Sequence, residues 1–436
     1  MTYLEMIKSQ PQHKLALVTD DKSYTYGELA ARAEELLKNS TESGPVIFIH
    51  EEKIADQLLK FLAYSGSSIV PIIATEASKK QEFQLENIPE AACMGVMTSG
   101  STGKSKLLWR SYHSWADFFP EQNRVFGIDE TTVIFCQGSL AFTGNLNIYM
   151  GVLSAGATLV VTEKFRPKHW LKLIEEQGVN ALYLIPSKLL LLPRFLKQPN
   201  VNIRHIVSGS QTMGRIEADK LLEVFPNTEI TLYYGASELN YITYIKDSSM
   251  TEDRTDIGLP FQGVKVEIRG EEIFIDNNCH VEGITMPFSL KDRGYLDEYG
   301  HLHFLGRTDD IISVNGLKIS SVKVETALRE LPGIVEAAVL SIHQGDADVL
   351  TAFLSTEGSM EQEGIALNAE MAESTLAKLA EAPVKNMSSV ELIRLLKAGF
   401  LETYEIPHRF IFLPELPKNE SGKIDKKNLL LQAELV

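Results

Sequence analysis

The chain has 436 residues, 44% of them hydrophobic, which is enough for two or three domains with cores of their own. Lysine and arginine together number 42 against 58 acidic residues, giving a formal charge of −16. An acidic surface with no long basic run repels a polyanion, so nucleic acid is set aside as a partner. The three cysteines, Cys93, Cys136 and Cys279, lie far apart and form no C-x-x-C pair, a pattern of reduced thiols rather than of a disulfide framework or zinc site.

The chain opens on "MTYLEMIKSQPQHK", in which Glu5, Lys8 and Gln10 break the basic-then-apolar order of a secretory signal. No apolar run reaches the roughly 18 residues of a membrane span, and the richest, "ALYLIPSKLLLLP", is broken by Pro186 and Lys188. A soluble, cytoplasmic protein is therefore expected. "PVIFIH" then "EKIADQLLKFLAYSG", with Ile54, Leu58, Leu59 and Leu62 on one face, predicts a strand and an amphipathic helix. "AACMGVMT" predicts a strand, and "LLWRSYHSWADFF" a helix after it. "ATLVVTE" with "HWLKLIEEQG" and "ALYLIP" with "SKLLLLPRFLKQ" repeat the strand–helix alternation, which predicts an α/β fold with largely parallel sheets.

From about Gly263 the pattern changes. "VKVEIRG", "EEIFID" and "HLHFLG", separated by turns such as Asp276-Asn277-Asn278 and Glu298-Tyr299-Gly300, predict an antiparallel β unit. After "GRTDD" a smaller α+β region begins, with "SSVKVETALRELPGI" as a helix, "VEAAVLSI" and "VLTAFLS" as strands, and a helix-rich acidic stretch to about Ala398. The expected division is thus a large α/β N-terminal domain, residues 1–306, with mainly parallel sheets and a small β unit. A smaller mobile α+β domain, 307–436, follows a short hinge at Arg307–Asp310.

Between "AACMGVMT" and "LLWRS" lies "TSGSTGKSK", Thr98 to Lys106. A Walker A loop needs G-x-x-x-x-G-K-[ST], and Thr98 stands where its first glycine belongs, which removes the P-loop kinase or ATPase reading. What remains is a turn rich in hydroxyls and free backbone N–H groups, followed by Lys104 and Lys106, a composition suited to phosphates. A Ser/Gly linker has the same composition, but the strand and helix patterns on either side oppose that reading.

"TSGSTGKSK" resembles the phosphate-binding signature of the adenylate-forming superfamily, which includes acyl-CoA synthetases, nonribosomal adenylation domains and luciferases. Further resemblances follow in family order across nearly the whole chain. "SYTYGELAARAEELL" is similar to the opening helix and "AYSGSSIVPI" to a structural turn. "IVSGSQTM" resembles the turn bordering adenine and acyl group, and "LYYGASELNYIT" the "YG.TE" motif, with Ser237 where Thr is usual. "DRGYLDEYGHLHFLGRTDDIISVNGLKISSVKVE" and "LPKNESGKIDKKNLL" resemble the hinge and closing lysine motifs.

The resemblance implies roles. Phosphates of ATP fall to Thr98, Ser99, Gly100, Ser101, Thr102, Gly103 and Lys106, with Lys106 preferred over Lys104. Adenine and the acyl group border Gly209, Ser210 and Gln211. Tyr234, Gly235, Ala236 and Ser237 line the nucleotide, the Tyr234 ring packing on adenine, and Glu238 holds Mg²⁺ on the phosphates. Asp292 accepts from the ribose hydroxyls, Arg307 contacts ribose and phosphate, and Asp309 is the hinge. Lys423 is the catalytic lysine, offsetting the charge that develops as two anions meet. Lys418, Lys426 and Lys427 are expected to be solvated. After adenylation the small domain is expected to turn about Asp309, withdraw Lys423 and present Gly316 and Lys318 for attack by a thiol.

Phe142 and Thr143 align with the acyl pocket. Amino-acid-activating members carry an aspartate where Thr143 stands, and a hydroxyl cannot form that ion pair with an α-ammonium, which argues against an α-amino acid. Ser105 replaces the usual proline, "LKD" (Leu290 to Asp292) replaces "TGD", and the stretch before it is trimmed, so the acyl specificity of familiar members does not carry over. With no carrier domain in the sequence, the expected enzyme is an acyl-CoA synthetase acting on a small-molecule carboxylic acid, with ATP and Mg²⁺ as cofactors and coenzyme A as co-substrate. The alternatives are a ligase charging a separate acyl- or peptidyl-carrier protein, and a non-catalytic nucleotide-binding relative.

Overall fold

The computed structural model describes residues 1–74, 78, 83, 85, 87–99, 105–307, 310–314, 317–329, 331, 333–344, 347–356, 389–398, 401–418 and 424–433. The chain divides into two units, Met1–Leu290 with Tyr295–Phe304, and Lys291–Gly294 with Leu305–Val436.

The first two helices start where the sequence provides a cap. Thr2 and Glu5 form a reciprocal capping box at α1 (Tyr3–Lys8), and Thr25 and Glu28 form another at α2 (Tyr26–Lys38), each satisfying two backbone N–H groups that the first turn leaves without partners. Helix α3 (Ile54–Tyr64) buries Ile54, Leu58, Leu59 and Leu62, the face its periodicity predicts. Each such side chain contributes about 1.5–3 kcal/mol on full burial.

The strands of the first unit begin with β1 (Leu15–Val18), β2 (Ser23–Thr25), β3 (Val46–Ile49), β4 (Val70–Ile73), β5 (Ala92–Ser99) and β6 (Ser105–Ser111). They continue through β7 (Val133–Gln137), β8 (Thr158–Thr162), β9 (Ala181–Tyr183), β10 (His205–Gly209), β11 (Glu229–Ala236), β12 (Asn240–Lys246) and β13 (Leu259–Pro260). A nine-stranded sheet runs β13-β12-β11-β10-β9-β7-β8-β1-β2, parallel from β11 to β1 and antiparallel at its ends. A four-stranded sheet, β3-β4-β5-β6, is parallel except for its last pair. The mainly parallel α/β class follows from the strand–helix alternation.

Two expectations are corrected here. "LLWRS" is strand β6, not helix; it folds back on β5 with Thr98 opposite Lys106 and Gly95 opposite Trp109. Helix resumes only at α4 (His113–Ala116) and α5 (Phe119–Phe126). Pairing β6 to β5 gives its N–H and C=O groups partners across the hairpin, a non-local gain that overrides local periodicity. "SKLLLLPRFLKQ" is not one helix either: it breaks into a single turn at Pro186–Leu189 and a 3₁₀ turn at Leu192–Arg194, because Pro193 has no N–H to donate to a continuing helix.

The predicted antiparallel unit is present. β14 (Lys265–Arg269) pairs in register with β15 (Glu272–Asp276), Lys265 opposite Asp276. β16 (Asp292–Leu296) and β17 (Leu302–Arg307) complete the order β14-β15-β16-β17, and the chain passes between the two units within each of these last two strands.

In the second unit, β18 (Ile311–Val314) and β19 (Leu317–Ser320) form a hairpin. A helix at Ser321–Arg329 leads to the antiparallel pair β20 (Ile334–Gln344) and β21 (Ala347–Thr356), to which β22 (Arg409–Phe412) adds in parallel. Of the predicted acidic helical stretch, 357–388 lies outside the described residues and Ser389–Ala398 is helical. Among the described residues no helix is long and apolar enough to cross a membrane. The three cysteines are free thiols.

Candidate active site

In the first unit the candidate residues collect at strand ends. Thr98 and Ser99 close β5, and Lys106, exposed, sits opposite Thr98 on β6. Gly100, Ser101, Thr102 and Gly103 lie outside the described residues. Thr143 begins α6 (Thr143–Ser154), and its hydroxyl donates to the Met97 carbonyl at 3.2 Å, tying that helix to the β5–β6 hairpin. Thr143 also lines a small recess with Ile73, Gly95, Val96, Met97, Leu140, Ala141 and Leu146. Phe142, half-buried, is not among the recess residues.

Gly209 ends β10 beside Tyr233 of β11. A Cβ at Gly209 would lie 2.5 Å from the Tyr233 ring, so only glycine fits there. The next residue, Ser210, takes φ 67°, a left-handed turn, and Gln211 accepts from the Ser187 N–H through its side-chain oxygen at 3.0 Å. Tyr234 packs its ring 5.7 Å from that of Phe304. At Gly235 a Cβ would meet the Asn240 carbonyl at 2.7 Å, close to the bulge where β11 and β12 change register. The tight turn Ala236–Leu239 between those strands carries Ser237 and Glu238.

Glu238 is half-buried, and its carboxylate makes no hydrogen bond or ion pair among the described residues. Among those residues no group of three His, Cys, Asp or Glu is placed to hold a metal ion. A cation at Glu238 would thus be held by one carboxylate together with phosphate oxygens, a donor set that suits Mg²⁺, which keeps few protein ligands.

Two features here escaped the sequence. Arg110 of β6 is fully buried. Its Nη2 donates to the Ser237 carbonyl at 2.6 Å, and its Nη1 to the carbonyls of Ser114 and Cys279, each at 3.3 Å, and to the Ser114 hydroxyl at 3.2 Å. Its guanidinium lies 5.2 Å from the Trp115 ring. Burial lowers its pKa to about 10, which leaves it charged at neutral pH. The signal for it in the sequence is a lone arginine inside the apolar run "LLWRS". The second feature is a pair of tyrosines: Tyr183 and Tyr233 share a hydrogen bond of 2.8 Å between their hydroxyls, with rings nearly parallel at 6.4 Å. Burial raises the Tyr233 hydroxyl to about 12.

In the second unit, Asp292 and Arg307 come together. Asp292 is 1% exposed and accepts from Arg307 Nε at 3.0 Å, while the Arg307 N–H donates to Asp310 at 3.2 Å. Viewed singly in the sequence these are surface residues; the fold buries the aspartate. Lys318 pairs with Ser313 across the β18–β19 hairpin, whereas Asp309, Gly316 and Lys423 lie outside the described residues. Lys418 and Ile424 form an isolated bridge. Of the lysines expected to be solvated, Lys427 is exposed, but Lys418 pairs with Glu336 at 3.0 Å and Lys426 with Glu325 at 2.8 Å. The half-buried glutamates, 13% and 12% exposed, would otherwise sit without a counter-charge.

The β5–β6 hairpin is thus joined to the glutamate turn through Arg110, and in the second unit the exposed Arg307 meets the buried Asp292. A family profile described as AMP-binding enzyme matches residues 41–278, and the chain belongs to that family. Within it, this is an AMP-forming acid–thiol ligase. The chain is 26% identical over 361 residues to an uncharacterised acyl–CoA ligase, YhfT, of Bacillus subtilis (strain 168), covering 78% of this chain and 68% of that protein. It is 25% identical over 395 residues to the 3,4-dihydroxybenzoate–[aryl-carrier protein] ligase of Bacillus anthracis, covering 88% and 84%. In fold it is similar to the o-succinylbenzoate CoA synthetase of Bacillus subtilis solved with its acyl-adenylate intermediate, at TM-score 0.78 and 19% identity, covering 98% and 97% of the two chains.

Proposed function

We propose that the protein activates a carboxylic acid lacking an α-ammonium group with ATP, releasing pyrophosphate, and transfers the acyl group to coenzyme A in the cytoplasm. The observation that carries the choice of acid is Thr143, a neutral side chain already donating to the Met97 carbonyl, in a recess whose other residues are apolar or glycine. An α-ammonium placed there would be desolvated without a counter-charge.

In this reading Thr98, Ser99, Lys106 and the intervening glycine turn hold the phosphates, and magnesium bound by Glu238 supplies charge neutralisation on them. Asp292 holds the ribose with Arg307 beside it, and Lys423 meets the carboxylate and the α-phosphate as the bond forms. A turn of the 307–436 region about Asp309 then exchanges Lys423 for the Gly316 and Lys318 face, where the thiol attacks. The relatives support either acceptor: one is named for a CoA ligase and one for a carrier-protein ligase. Coenzyme A is preferred on the first of these.

The test is pyrophosphate release across a panel of carboxylic and amino acids, with and without coenzyme A. A preferred α-amino acid refutes the choice of acid. AMP release that depends on a carrier protein and not on coenzyme A refutes the choice of acceptor.

A further inference from the structure

A charge as thoroughly buried as that of Arg110 is expensive, and no carboxylate lies within ion-pair distance of it among the described residues. An apolar residue would fill strand β6 at lower cost, so what the guanidinium does with its donors matters. It spans three segments: the start of α4 at Ser114, the loop at Cys279, and the Ser237 carbonyl that immediately precedes Glu238. The next carbonyl, that of Glu238, is held by the Val281 N–H at 2.9 Å, and the Glu282 N–H donates to the Trp109 carbonyl of β6 at 2.8 Å. Both peptide groups that set the direction of Glu238 are therefore fixed, one by the guanidinium and one by the loop that the guanidinium also grips. The side chain they carry keeps its carboxylate oxygens uncommitted among the described residues. Strand β6 begins at the 98–106 turn and carries Arg110 near its other end, so the same strand links that turn to the Ser237–Glu238 segment.

We infer that Arg110 is a positioning residue for the nucleotide step: it locks the Ser237–Glu238 turn so that the glutamate is preorganised for the cation on the phosphates, and it adds fixed positive charge behind that site. This rests on the reading of Glu238 as the residue that receives the cation. Planar, forked donors reach two loops at once, which an ammonium cannot do. A staple serving stability alone would leave the preference for MgATP over free ATP unchanged, because that preference depends on the carboxylate and not on the fold.

The experiment measures ATP affinity by calorimetry, with and without Mg²⁺, in the wild-type chain and in Arg110→Met, Arg110→Lys and Glu238→Gln. Thermal midpoints establish that each variant is folded. Loss of a charge-assisted hydrogen bond corresponds to about a tenfold effect or more, so Arg110→Met is expected to lose about tenfold in the Mg²⁺-dependent gain in affinity. Arg110→Lys, which keeps the charge and reaches fewer carbonyls, is expected to fall between Met and wild type. If Arg110→Met does not fold, Arg110→Lys decides alone, and a Mg²⁺ gain within about twofold of wild type in either folded variant overturns the assignment. Should Glu238→Gln also leave the Mg²⁺ gain unchanged, the failure belongs to the reading of Glu238 and removes the basis for this one.

Discussion

Replacing Gly209 with alanine places a methyl group where the structure has no room for one. Its carbon would lie 2.5 Å from Cζ of Tyr233 and 2.7 Å from both Cε atoms. Ordinary carbon contacts are about 3.5–4.0 Å, so the ring must retreat by about 1 Å. The ring is packed by Phe126 at 5.7 Å and by an edge-on Tyr241 at 4.7 Å between ring centroids, and its hydroxyl is bonded to Tyr183 at 2.8 Å. Overpacking a filled core costs about 1–3 kcal/mol and the lost hydrogen bond about 1 kcal/mol, so a destabilisation of about 2–4 kcal/mol is expected. The midpoint of thermal unfolding of the first unit should fall by roughly 3–6 °C. The decisive assay is a double-mutant cycle with Tyr233→Ala, read by denaturant unfolding. If the collision is with that ring, Gly209→Ala should cost little once the ring is gone, giving a coupling of at least about 1 kcal/mol. Additivity within about 0.5 kcal/mol refutes the steric argument, because the methyl would then be meeting something else.

Asp292→Asn removes a charged acceptor from the proposed ribose site and should raise KM for ATP by roughly 10–100-fold, the equivalent of one charge-assisted hydrogen bond; a change within about twofold argues against ribose contact. Lys423→Ala should abolish most adenylation, measured by pyrophosphate exchange, while sparing thioester formation from supplied acyl-adenylate. Equal loss in both half-reactions removes the lysine from the role proposed for it. The thiols carry a pH prediction. Burial pushes Cys93 up to about 12 and Cys279 to about 11, and raises Cys136 well above its ordinary value. All three should resist iodoacetamide at pH 8 in the native protein. Because the native state holds these protons more tightly than the unfolded chain, stability should decline from the ordinary thiol range near pH 9 towards pH 11. Rapid native-state alkylation at pH 8 would contradict the burial.

The alternation of β-branched strands with amphipathic helices was enough to predict the α/β class and the face of α3, since both depend on periodicity alone. The family was legible because the residue types and order of its motifs are distinctive. What periodicity could not supply was pairing. "LLWRS" reads locally as the start of a helix, and only the presence of β5 to pair with makes it a strand. Asp292 looks like a surface residue until β16 takes it inside, where Arg307 meets it. Lys418 and Lys426 looked solvated for the same reason: their glutamate partners, Glu336 and Glu325, are remote in sequence. Arg110 was missed because all but one of its acceptors are backbone carbonyls, which leave no trace in residue identity.

That clamp bears on how far the β5–β6 hairpin can be treated as a portable module. Its arginine depends on carbonyls 127 and 169 positions downstream, and Thr143 fastens its other strand from a separate helix. A chimera that exchanged only residues 92–111 with a relative would leave either a buried cation facing foreign loops or three carbonyls without a donor. Exchanges that carry 237–239 and 277–282 along with the hairpin keep the interlock intact, and recombination breakpoints in this chain should be chosen around that set.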